Sequence, residues 1–211
     1  SPHTPPQVRM YSCGPTVYDY AHIGNLRSFV CADILKRTLL RAGYEVTHTI
    51  NITDFGQLSD DGDNGEDKMM RALKKAGKPI TLSAMRDLAD EYIDAFFDDF
   101  AELRCLPPTT WSRASDYVAK QIRLIKTLEE KGYTYETSDG VYFDIAKFPS
   151  YGRLGDIDLA SLKSGARVEV NQEKRHPADF AVWKKGLLGW DSDWGKGFPG
   201  WHIECSAMSH E

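Results

Sequence analysis

Residues 7–51 read QVRMYSCGPTVYDYAHIGNLRSFVCADILKRTLLRAGYEVTHTIN, and their patterning decides the fold. Gln7 to Ser12 reads as a short strand, with Val8 and Met10 apolar and Tyr11 near its end. Gly14-Pro15 breaks it. From Gly24 to Arg41 the apolar residues Leu26, Phe29, Val30, Ile34, Leu35 and Leu39 recur at helical spacing. Gly43 ends that helix. Glu45 to Asn51 alternates and is rich in β-branched residues, as a second strand should be. Strand, helix and strand in this order form a βαβ unit, whose two strands run parallel. The fold class expected is therefore α/β.

Working outward, helices are expected at roughly 66–76, 81–104 and 115–131. Gly77 and Gly132 stop the first and last, and Pro107-Pro108 follows the middle one. Tyr133 to Ile145 reads as a hairpin with Asp139-Gly140 at its turn. Residues 146–178 are polar and irregular, apart from a possible strand at Ala166 to Val170. Phe180 to Lys184 reads as a buried strand, and Trp190 to Trp201 as a loop rich in Gly and Trp. Phe55 to Glu66 is an acidic loop. It lacks the residue order of a calcium-binding loop and is read as a solvated one. The arrangement implies an α/β core over 7–105 and 179–211, interrupted over 106–178 by an insertion of mixed α+β structure.

The chain has 211 residues, of which 41% are hydrophobic and 27% charged, an ordinary globular balance. No apolar run approaches the ~20 residues needed to span a bilayer, and the start carries no signal-peptide pattern. No membrane association and a cytoplasmic location are expected. A net charge of -5 gives no general nucleic-acid footprint. Any RNA contact must be local or come from elsewhere in the protein. The four cysteines form no CxxC pair, which argues against a disulfide framework.

Ala21-His22-Ile23-Gly24-Asn25 falls where the first strand has ended and the long helix begins. A helix start presents free backbone N–H groups and the positive end of the helix dipole, a natural phosphate site. Gly24 lets a nucleotide approach the backbone. His22 and Asn25 share the first turn and can both donate to phosphate oxygens. Taken alone the pentapeptide is weak, since a histidine there is ordinarily a cap or a surface residue. Cys13 stands at the C-terminal end of the first strand, the edge where ligands bind in open α/β sheets. Should the run from Phe180 be the next core strand, Cys205 returns to that edge and could join Cys13 in a zinc site. Spacing alone favours two buried small apolar residues instead. Cys31 and Cys105 lie on apolar faces and read as core. Lys36, Arg37 and Arg41 read as complements to the helix dipole, and His48, mid-strand, as structural. The tryptophans are read as core and pocket walls, and His202 lies next to the pocket.

Tyr11-Ser12-Cys13-Gly14-Pro15-Thr16-Val17-Tyr18-Asp19 followed by His22-Ile23-Gly24-Asn25 resembles the opening of cysteinyl-tRNA synthetases. So do Asn51-Ile52-Thr53-Asp54, Ser164 to Val168, Lys174 to Phe180 with Trp183-Lys184, and Pro199 to Ser209. The matches run in family order over nearly the whole chain. The HIGH-type motif is common to all class I synthetases, whereas the Cys13 and Gly200-to-Met208 segments are much more specific. The resemblance implies a Rossmann-like class I synthetase catalytic core with a parallel sheet. It implies that Cys13 and Cys205 are two of four zinc ligands, and that Pro15, Thr16, Tyr18, His22, Gly24 and Asn25 bind ATP with its Mg²⁺. His22 and Asn25 would be catalytic, and Cys13, Gly14, Thr53 and Trp201 would bind the cysteine substrate. The implied activity is formation of cysteinyl-adenylate and transfer to tRNA(Cys), by a protein expected to be a monomer. Alternatives from the same fold are the cysteine ligase of mycothiol synthesis and a synthetase paralogue without catalysis.

Three departures from the family pattern stand out. Asn25 replaces the second histidine of the motif. Phe55 to Asp67 lengthens a loop that relatives close with a short DDK. The family's remaining His and Glu ligands, its KMSKS signature and its anticodon-binding region are expected beyond residue 211. The 211-residue chain alone is accordingly expected to be weak or inactive.

Overall fold

A computed structural model of the chain describes residues 5–55, 68–153, 155 and 171–210. The acidic loop past Phe55, the possible strand at Ala166 to Val170 and the Ser164-to-Val168 match lie outside the described residues.

The βαβ unit forms as the sequence demands. Strand β1 spans Gln7–Ser12, helix α1 Ile23–Arg41 and strand β2 Glu45–Ile52. The two strands are parallel, with Gln7 opposite Glu45 and Ser12 opposite Ile50. Helix α1 ends on Gly43, whose φ of 85° only glycine adopts without strain. There the Gly43 and Tyr44 amides donate to the Leu40 and Leu39 carbonyls at 3.0 and 3.1 Å, satisfying carbonyls that the last turn would otherwise leave open. After α2 (Lys68–Lys75) and α3 (Leu82–Glu102), strand β3 (Thr110–Arg113) pairs in parallel with β2. The sheet order is β1-β2-β3. Strand β3 was not foreseen, because Thr-Trp-Ser-Arg is too short and too polar to show a period. The parallel sheet thus continues past residue 105. A 3-10 turn at Ala114–Tyr117 leads into α4 (Val118–Glu130).

The expected run at Phe180 belongs to a different sheet. Strands β4 (Thr134–Glu136), β5 (Gly140–Phe143), β6 (Phe180–Trp190) and β7 (Gly197–Pro199) make an antiparallel sheet in the order β4-β5-β6-β7. Phe180 to Lys184 is a buried strand as expected, but the condition that it be the next strand of the parallel core is not met. An apolar run looks the same whether it is buried in a parallel sheet or in an antiparallel one. The Trp190-to-Trp201 segment is likewise not all loop, since it contains β7 and opens α5 (Trp201–His210). At Gly200 a Cβ would lie 1.9 Å from the Ala181 carbonyl oxygen. Only glycine lets the chain cross β6 there and turn into α5.

Phe29 of α1, Ile50 of β2 and Phe96 and Phe100 of α3 pack with Cys105 and the ring of Trp111. Val17, Ile52, Leu88, Val118 and Met208 form a second core that α5 closes. Trp183 and Trp194 pack with Ile125 and Ile203, joining the antiparallel sheet to α4 and α5. Cys105 is buried as expected, but Cys31 is exposed on α1. The basic residues of α1 do more than face its dipole. Lys36, buried, donates to the Pro107 carbonyl at 2.6 Å, and Arg37 bridges Asp33 and the Arg104 carbonyl, each at 2.6 Å. Together they fasten the segment that leads into β3. Among the described residues no helix is long and apolar enough to cross a membrane.

His48 is only 2% exposed, and its Nε2 lies 2.9 Å from the Ser12 hydroxyl across the β1–β2 pair. Burial, and then the charge of Lys36, lower its pKa below the free value of 6.5. The unfolded chain takes up this proton first as the pH falls, so the stability His48 contributes is complete above 6.5 and drains away below it. The melting temperature should fall between pH 7 and pH 5, and His48→Gln should flatten that slope. An unchanged slope in the variant, read by circular dichroism, would remove His48 as its source.

Candidate active site

The ends of β1 and β2 meet the start of α5 at one point. Cys13 leaves β1, Thr53 leaves β2, and α5 carries Cys205 back to them. The two sulfurs lie 3.9 Å apart. That is far too long for a disulfide bond. It is close to the ~3.8 Å that separates two sulfurs bound at 2.3 Å to one tetrahedral zinc ion. The pair therefore fits one edge of a zinc tetrahedron. Among the described residues no cluster of three or more His, Cys, Asp and Glu side chains is placed to hold a metal. The close contact with Cys13 draws the Cys205 thiol below the usual thiol range. Cys13 is pushed up, first by its hydrogen bond to Cys205 and then by burial.

Around this pair the backbone is drawn tight. The Thr53 amide donates to the Pro15 carbonyl at 2.9 Å, and the Val17 amide to the Thr53 carbonyl at 3.1 Å. Thr16 bridges Thr53 in parallel. Pro15, Thr16 and Gly14 are thereby laid along the end of β2, although Gly14-Pro15 ends β1 itself. A Cβ on Gly14 would stand 1.5 Å from the Asn51 carbonyl oxygen, so this position excludes every side chain. Asn51 itself is fully buried. Its Oδ1 accepts from the Gly14 amide at 3.0 Å and its Nδ2 donates to the Thr53 hydroxyl at 3.2 Å.

At the start of α1, His22 and Asn25 cap the helix together. His22 Nδ1 accepts from the Gly24 amide at 3.1 Å, and Asn25 Oδ1 accepts from the His22 amide at 3.1 Å. An amide can only donate, so Nδ1 carries no proton and the neutral ring keeps its proton on Nε2. Nε2–H and the Asn25 Nδ2 group are the two donors left over. Both residues are exposed. The capping and the ligand-facing readings are therefore compatible, because each uses a different atom.

Trp201 opens α5 and is 46% exposed. The Lys68 ammonium lies 5.1 Å from the Tyr18 ring centre and 6.0 Å from that of Trp201, joining the two aromatic residues. His202 packs its ring edge-on to Phe180 at 4.8 Å. The sequence reading did not single out Asn51, Tyr11 or Lys68. Asn51 and Tyr11 were quoted only as motif letters, and Lys68 follows the lengthened acidic loop, which hides its register.

The family described as "tRNA synthetases class I (C) catalytic domain" matches residues 1–211. The chain belongs to this family. It is 50% identical over 209 residues to Cysteine--tRNA ligase 1 of Burkholderia lata, covering 96% of this chain and 43% of that protein. It is 48% identical over 206 residues to the Cysteine--tRNA ligase of Treponema denticola, covering 95% and 41%. With that of Thermus thermophilus the identity is 44% over 212 residues, covering 99% and 43%. The chain thus spans roughly two fifths of the length of the curated relatives it matches. Membership in this synthetase family agrees with the parallel α/β core described above.

Proposed function

We propose that the protein carrying this chain is a cysteine–tRNA ligase, which activates L-cysteine with ATP and transfers it to tRNA(Cys). The observation that carries the reading is the sulfur pair, 3.9 Å apart, at the sheet edge of a class I synthetase domain. Cys13 and Cys205 would supply two donors to Zn²⁺. Zinc there would bind the substrate thiolate, and its preference for sulfur over a hydroxyl would discriminate cysteine from serine. Thr53, Gly14 and Trp201 would enclose the amino acid.

ATP, with Mg²⁺ as counter-ion, would lie along Pro15, Thr16, Tyr18 and Gly24. His22 through Nε2–H and Asn25 through Nδ2 would donate to its phosphates beside the dipole of α1. The cysteine carboxylate oxygen attacks the α-phosphorus, and the bond to the bridging oxygen breaks, so pyrophosphate leaves with the electron pair. A terminal ribose hydroxyl of tRNA then displaces AMP. Asn25 donates as a histidine would, but stays neutral. The catalytic core is proposed to extend the expected 7–105 through β3 (Thr110–Arg113) and to resume, within 179–211, at α5, with the antiparallel sheet β4–β7 in the insertion between them.

The test is ATP–pyrophosphate exchange by the full-length protein. Exchange is expected with cysteine, with serine at background. Cysteine-dependent exchange without transfer to tRNA, but with transfer to an amino sugar, would favour the mycothiol-type ligase. No cysteine-dependent exchange at all would leave a non-catalytic paralogue.

A further inference from the structure

We propose that the buried Asn51 side chain is a positioning residue for the cysteine pocket, fixing both the direction of the Thr53 hydroxyl and the seat of Cys13–Gly14. The proposal rests on the functional reading given above, in which Thr53 and Gly14 contact the substrate.

Asn51 is 0% exposed and sits two residues before Thr53 on β2. Its amide cannot flip. The Gly14 N–H can only donate, so the atom 3.0 Å from it must be the carbonyl oxygen, and the NH₂ group must face Thr53 Oγ1 at 3.2 Å. A hydroxyl has one proton. With a lone pair of Oγ1 already taken by Asn51, the Thr53 proton is left to donate elsewhere. Thr53 is thereby set as a hydrogen-bond donor, suited to the carboxylate of an amino acid. The same Oδ1 lies 3.8 Å from Cys205 Sγ. One side chain thus touches the neighbour of Cys13, the hydroxyl of Thr53 and the sulfur of Cys205. It coordinates three segments that are distant in sequence: the end of β1, the end of β2 and the first turns of α5.

Aspartate tests this directly. It has the shape of asparagine and still accepts from Gly14, but it has no donor for Thr53. The Thr53 hydroxyl would then turn its proton toward residue 51 and offer lone pairs to the substrate. Removing a buried donor of this kind weakens binding by roughly tenfold or more. The measurement is calorimetric binding of cysteine and of ATP to the full-length protein, alongside zinc content and melting temperature. Asn51→Asp, Thr53→Val and the double variant complete a cycle. Cysteine affinity should fall about tenfold in each single variant and no further in the double. ATP affinity and zinc content should be retained. If Asn51→Asp does not fold, Asn51→Ser removes the Gly14 bond as well, and its cysteine affinity should fall by more than that of Thr53→Val. Unchanged cysteine affinity in the Asn51 variant, additive losses in the double, or a loss explained by lost zinc would each overturn the positioning role alone. No binding of cysteine by the unsubstituted protein would instead overturn the functional reading, and this inference with it.

Discussion

Cys205→Ser in the full-length protein is expected to lose bound zinc and cysteine-dependent pyrophosphate exchange together. The sulfur of residue 205 stands 3.9 Å from that of residue 13. A serine hydroxyl at the same point is a harder donor that stays protonated at neutral pH, so the proposed zinc site would lose one of its sulfur ligands outright. Loss of an outer-shell partner alone costs metal sites on the order of 10–100-fold, and loss of a ligand should cost at least the upper figure. Metal analysis of the purified variant gives the first readout and pyrophosphate exchange the second. Full zinc content with full exchange would sink the assignment of Cys205 as a ligand. The melting temperature separates this from misfolding, since Cys205 lies outside the three larger apolar cores.

The second large effect is expected on stability. Asp54 follows Thr53, and its side chain is 1% exposed. It accepts from Arg113 Nε at 2.9 Å, from the Ser115 amide at 3.0 Å and from the Ser115 hydroxyl at 2.6 Å. Arg113 also reaches Asp90 at 2.6 Å. This network ties the end of β2 to β3 and α3, behind the residue proposed to bind substrate. Arg113→Ala leaves a buried carboxylate without its cation, a change that typically costs about 3–5 kcal/mol. The two bonds from Ser115 remain, so about 3 kcal/mol is expected here. Arg113→Lys should recover only part of it, because one ammonium cannot present the guanidinium fork to both Asp54 and Asp90. Urea unfolding measures both. A loss below about 1 kcal/mol for Arg113→Ala would show that Ser115 suffices, as in an exposed pair.

How much of this was legible beforehand depends on the range of the interaction. The βαβ unit was readable from 7–51, because amphipathic periodicity and glycine punctuation are local properties that act within a few residues. The motif letters that place the chain in its synthetase family were readable for the same reason, being side chains at fixed spacing. Strand β3 was not, because four polar-flanked residues acquire their strand character only from pairing with β2. The sheet to which Phe180–Trp190 belongs was not readable either. Its partner strands, β5 and β7, differ from a parallel core strand in direction and not in composition.

The site divides in the same way. Chemical identity was set by sequence alone: two thiols, a histidine and an asparagine at a helix start, a threonine at a strand end. Their meeting was decided by the fold. Spacing favoured buried, unrelated cysteines at 13 and 205. Only the crossing at Gly200 and the packing of α5 onto the first sheet bring the sulfurs to 3.9 Å. Asn51 shows the same division most sharply. As a motif letter it helps mark the family but says nothing of its own role, because its hydrogen bonds reach Gly14 through tertiary contact. A side chain's chemistry is a property of the residue, but its partners are chosen by packing, which depends on the whole chain at once.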